Sequence, residues 1–100
     1  LGEFIDIPEE EMYGEPFDIP TPDELVYIGW FRGGEVLRGG CVFRRGAGKL
    51  FYFNPGHETY PTYKLPAVRQ LLRQACDYVA PALPLKEKIC CPHIEQFSVR

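Results

Sequence analysis

The pattern of apolar and polar positions divides the chain into an irregular lead, three short strands, a loop and one helix. In residues 1–24, apolar groups (Phe4, Ile5, Ile7, Met12, Tyr13, Phe17, Ile19) alternate irregularly with acids. Pro8, Pro16, Pro20 and Pro22 forbid a long helix there, because each removes a backbone donor and blocks the preceding turn. Residues 25–31 are rich in strand formers and are bounded by Pro22-Asp23 and Gly33-Gly34, so they predict a strand. Residues 35–45 form a second extended run carrying Val36, Cys41, Val42 and Phe43, in which Gly39-Gly40 predicts a bulge or bend. After the turn at Gly46-Ala47-Gly48, residues 49–53 read as a third strand. Its apolar content is continuous (Leu50, Phe51, Tyr52, Phe53), the pattern of a strand covered on both faces.

The helix is the clearest element. Pro66 suits a first helical position, where a missing N–H costs nothing. Val68, Leu71, Leu72, Ala75, Cys76 and Val79 then recur at helical period, while Arg69, Gln70, Arg73, Gln74 and Asp77 take the other side. Pro81 and Pro84 stop it, so the helix is expected over 66–80. One helix covers only one face of a sheet, so the doubly covered third strand implies a layer supplied from elsewhere. That layer comes from further sequence or from a partner chain, so the chain reads as the back half of a larger α/β domain, with residues 85–100 as a tail.

Composition refines this picture. With 100 residues the chain holds one domain at most, and 45% hydrophobic content suffices for a modest core. Nothing approaches the ~20 apolar residues that span a bilayer, and the acidic N-terminus is unlike a secretory signal. A cytoplasmic protein is expected, with no membrane partner. The net charge of −3 conceals a division. Glu3, Asp6, Glu9, Glu10, Glu11, Glu15, Asp18, Asp23 and Glu24 precede any basic residue, whereas the remainder is basic. The bases are scattered, with only Arg44 and Arg45 adjacent, so the two regions are expected to neutralise one another and nucleic acid is not an expected partner. Cys41, Cys76, Cys90 and Cys91 read as reduced thiols, with Cys76 in the core. Adjacent Cys90 and Cys91 lack the C-x-x-C spacing of zinc sites, and no role in metal binding is expected of them.

Chemistry concentrates in residues 54–63, Asn-Pro-Gly-His-Glu-Thr-Tyr-Pro-Thr-Tyr, between the third strand and the helix. In open α/β sheets, ligands bind beyond the carboxyl ends of the strands. Gly56 permits a sharp turn that presents His57, expected in the principal cleft, where an imidazole moves protons or ligates a metal. Glu58 can orient that ring or act as a base, and Thr59, Tyr60 and Tyr63 can hydrogen-bond or stack on a sugar. The same residues also suit a loop that merely pins a connection. No H-E-x-x-H, phosphate loop or nucleophile elbow is present.

The segments EEEMYGEPFDIPTPDELVYIGWF, GGEVLRGG and FRRGAGKLFYFNPGHETYPTY closely resemble the C-terminal half of the trehalose-utilisation (ThuA-like) family, over about residues 3–82. That resemblance implies that residues 1–82 are the C-terminal half of a flavodoxin-like, three-layer α/β/α sandwich similar to class I glutamine amidotransferases, without their reactive Cys. It implies too that the N-terminal half is missing and that 83–100 are a C-terminal tail. It further implies a sugar-metabolism role on trehalose-related or 3-keto disaccharides at a metal-assisted site. His57 would be the loop histidine and a ligand of a divalent metal, most plausibly zinc; His57 and Glu58 would be catalytic, and Thr59, Tyr60 and Tyr63 substrate-binding. One departure is Leu65, where Asn is usual before the helix. A non-catalytic sugar-binding module and an oligomer interface built on the aromatic residues 27–31 remain as alternatives, and a homo-oligomer is expected.

Overall fold

Three strands, Glu24–Trp30 (β1), Val36–Arg45 (β2) and Gly48–Phe53 (β3), form one antiparallel sheet in the order β1-β2-β3. A 14-residue helix, Pro66–Val79 (α1), packs against β3. These elements come from a computed structural model that describes residues 4–82. The expected elements are all present to within a residue or so. Two 3-10 turns, Glu15–Phe17 and Thr62–Lys64, were not foreseen, because three residues carry no periodicity. Cys90, Cys91 and the 83–100 tail lie outside the described residues. Among the described residues no helix is long and apolar enough to cross a membrane.

The core sits on the central strand. Leu37, Cys41, Val42 and Phe43 of β2 are buried, together with Val68 and Leu71 of α1. Each such side chain contributes about 1.5–3 kcal/mol on burial. Within residues 4–82 the cover expected on both faces of β3 is incomplete: Leu50 is 51% exposed and Phe51, Tyr52 and Phe53 are only half-buried. Strand β3 is an edge, and its aromatic run is used for ring contacts along the edge. Phe51 and Phe53 stack with centroids 6.3 Å apart, and Phe53 meets Tyr63 edge-on at 6.4 Å. The lead supplies part of the second layer that the sequence seemed to lack. Its Phe17, Ile19 and Pro20 face Phe43, Leu50 and Tyr52 across a groove of about 330 Å³.

One correction concerns Cys76, which is exposed rather than in the core. At about 100° per residue the apolar stripe is too wide for a three-stranded sheet to cover. The sheet takes the flank carrying Leu71, Ala75 and Tyr78, which line a slot with Val26, Val42 and Phe51, so Cys76 is turned out to the far side. The helix begins without a side-chain cap at Leu65. Its other end is fastened to the sheet. The Tyr78 hydroxyl donates to Glu24 Oε2 at 2.7 Å, a bond that raises the phenol above its ordinary value, and Lys49 Nζ stands 4.2 Å from the centre of the Tyr78 ring.

The acidic lead is tied to the basic strand, as the charge division suggested. Arg38 Nε donates to Glu15 Oε1 at 2.8 Å, and Arg38 Nη2 donates to the Ile19 carbonyl at 2.8 Å. Asp23 Oδ2 accepts from the Arg44 N–H at 2.7 Å, and Glu24 Oε2 accepts from the Arg44 guanidinium at 3.2 Å.

Two measurements check this packing. Gly40 is buried, and a Cβ there would stand 2.9 Å from Tyr27 Cβ. Replacing it with Ala should cost about 1–3 kcal/mol in chemical denaturation, because neither strand can move without breaking the ladder. The bond from Arg38 holds the Glu15 carboxyl below its ordinary 4.5. The contribution of this pair is therefore present above that value and lost as pH falls through the lowered one. A carboxyl-carbon titration should show Glu15 titrating below 4.5, with Arg38→Ala returning it to the usual range.

Candidate functional site

The loop after β3 is shaped first by Asn54. Its Oδ1 accepts the Gly56 N–H at 3.1 Å, a side-chain turn, while its Nδ2 donates to the Tyr52 hydroxyl at 3.2 Å. Gly56 follows at φ 152°, a conformation open to glycine. A Cβ at Gly56 would overlap the side chain of Glu10, which lies directly on this turn.

Glu10 is the residue that sequence reasoning missed. Its Oε1 accepts the His57 N–H at 2.8 Å and its Oε2 accepts the Thr62 hydroxyl, so one half-buried carboxylate fastens both halves of the loop. Bonds to a charged acceptor contribute about 1.5–3 kcal/mol each. No spacing in the sequence announces a partnership across 47 positions. The only local hint was an acid beside the Met-Tyr-Gly-Glu-Pro-Phe segment.

The His57 ring is half-buried. Its Nδ1 accepts the Thr59 N–H at 3.2 Å and lies 2.7 Å from Thr59 Oγ1. Nε2 stands 3.3 Å from Glu58 Oε2, and Nδ1 stands 3.8 Å from Glu11 Oε2. Glu11 in turn accepts from the Tyr13 hydroxyl at 3.4 Å. Desolvation, and then the Glu11 carboxylate, hold that phenol above its ordinary 10.0. His57, Glu58 and Thr59 are thus in mutual contact, joined by Glu10, Glu11 and Tyr13 from the lead.

The tyrosines stand slightly apart. Tyr60 and Tyr63 line a shallow cleft of about 300 Å³ with Glu58, Thr59, Pro61 and Lys64, and His57 does not line it. A larger cleft of about 720 Å³ runs along β1 to Asn54 and Pro55. His57 does not line that one either. The turn at Gly56 carries the ring toward the lead instead.

The chain matches no model of a known protein family and no curated protein. The trehalose-utilisation resemblance rests on its motif residues alone. The implied metal can be tested against the donors present. Among the described residues no group of three or more His, Cys, Asp or Glu side chains is placed to hold a metal ion. A histidine ligand ordinarily donates its second ring N–H to an acceptor. Here Nδ1 faces a donor, the Thr59 N–H, so the described residues do not fit a metal centre.

The Gly56 turn yields a direct check. Gly56→Ala would be strained at φ 152° and would displace Glu10. A loss of about 1–3 kcal/mol is expected from the backbone alone, with the His57 amide, which donates to Glu10, losing hydrogen-exchange protection. Unchanged protection at the His57 amide would refute the clamp.

Proposed function

We propose that the chain carries the sugar site of a protein related to the trehalose-utilisation family, acting on trehalose-related or 3-keto disaccharides. One observation carries this reading. The two most distinctive segments of the resemblance, around Met-Tyr-Gly-Glu-Pro-Phe and Pro-Gly-His-Glu-Thr-Tyr, are far apart in sequence yet adjoin through the Glu10–His57 hydrogen bond. In this reading Tyr60 and Tyr63 supply ring faces for a sugar, Thr59 a hydroxyl, and His57 with Glu58 a proton-transfer pair at 3.3 Å. No step is routed through a metal.

The reading takes the sheet as part of a flavodoxin-like, three-layer α/β/α domain. Otherwise parallel sheets of such domains often carry an antiparallel edge strand. The exposed Val26, Ile28 and Trp30 of β1 offer apolar surface for a further layer. The same surface supports a second reading, an oligomer interface, since Trp30 is 82% exposed.

Calorimetric titration of the full chain with trehalose and with its 3-keto derivative tests the proposal. Wild type should bind one of them, and Tyr60→Ala or His57→Ala should weaken that binding by about tenfold, the equivalent of one lost hydrogen bond or stacking contact. Absence of binding to either sugar, with a dimer that Trp30→Glu dissociates in sedimentation, would favour the interface reading.

A further inference from the structure

We infer that Glu10 is a positioning residue that, with Thr59, sets the His57 ring with its proton on Nε2. The ligand of this histidine is then a hydrogen-bond acceptor, a carbonyl, hydroxyl or carboxylate oxygen, and not a metal ion. This deepens the sugar-site reading by naming the chemistry wanted at His57, and its central measurement needs no sugar.

The inference rests on the polarity of the contacts around the ring. A backbone N–H can only donate, and the Thr59 N–H points to Nδ1 at 3.2 Å, so Nδ1 bears a lone pair. The Thr59 hydroxyl, 2.7 Å from the same nitrogen, then also donates to it. The single proton of a neutral imidazole is left to Nε2, where an acceptor already waits, Glu58 Oε2 at 3.3 Å. The other carboxylate near the ring does not oppose this. Glu11 Oε2 is 3.8 Å from Nδ1, beyond hydrogen-bond range, and is itself engaged by Tyr13.

Nothing in the ring itself enforces this arrangement. It requires Thr59 N to lie beneath Nδ1, and hence a tight turn over residues 57–59. Glu10 imposes that turn by holding the His57 N–H at 2.8 Å with one oxygen and Thr62 with the other. Gly56 makes room for it. The Glu58 side chain is 85% exposed, so an incoming acceptor displaces it from Nε2 with little loss. A metal would need the opposite state at Nε2, an unprotonated nitrogen, with a donor N–H at Nδ1 directed into another donor.

The test is a two-bond proton–nitrogen correlation of the full chain with labelled imidazoles, at an alkaline pH where an ordinary imidazole is neutral. The second histidine is removed as His93→Gln. Wild type should show the Nε2–H tautomer, unmoved by stoichiometric zinc chloride. Glu10→Gln, whose amide oxygen still accepts from the His57 N–H, should keep that pattern. Glu10→Ala and Glu10→Asp, which release or shorten the clamp, should both move the ring toward an averaged mixture of tautomers. Should the alanine variant fail to fold, the aspartate variant carries this arm. An Nδ1–H tautomer in wild type, or zinc shifting the ring nitrogens, overturns the inference. So does an unchanged ring signal in a folded Glu10→Ala or Glu10→Asp. If wild type shows the Nε2–H tautomer yet binds neither trehalose nor its 3-keto derivative, the sugar reading falls and the acceptor site stands.

Discussion

Burial of the central strand is the constraint on which the other elements depend. Strand β2 hydrogen-bonds to a neighbour on each edge and contributes most of the core through Leu37, Cys41, Val42 and Phe43. A strand so enclosed leaves little room for side chains where its neighbours come closest. That is why Gly40 faces Tyr27, and why the ladder to β1 shifts register on either side of that pair. The helix contributes Val68 and Leu71 to this core and is secured at its far end by Tyr78 on Glu24.

The lead completes the sheet in a way its composition disguises. Its acids look like a solvated tract, yet Glu15 and Asp23 bond to β2 while Phe17 and Ile19 approach the sheet face away from α1. Exposed ion pairs of this kind stabilise weakly one at a time. Here they act with apolar contacts and with a bond to the Ile19 carbonyl, so charge selects where the lead lies and packing holds it there. Glu10 extends the same logic to the loop after β3.

At that loop the physical content lies in which atoms donate and which accept. Glu10 satisfies a backbone N–H and a hydroxyl, Asn54 shapes the turn beside them, and Thr59 sets both its N–H and its hydroxyl against one ring nitrogen. A histidine beside two carboxylates has the residue types of a metal site, but this arrangement of donors and acceptors is that of a hydrogen-bonding site.

The sequence by itself determined the elements. The period of Val68, Leu71 and Ala75, the prolines at 66 and 81 and the glycine turns place the helix and all three strands, because these signals are local and act within a few residues. It also located the loop with His57, Glu58, Thr59, Tyr60 and Tyr63. Only the tertiary structure decided which strand is central, which flank of the helix is buried and where the imidazole points. Continuous apolar content cannot say which groups cover a strand, and helical period cannot say which flank of a wide apolar stripe meets the sheet, so Cys76 was read as more buried than it is. Glu10 was illegible for the same physical reason: a carboxylate in an acidic run becomes specific only when the fold sets it against Gly56 and His57, and that contact is made across the sequence rather than along it.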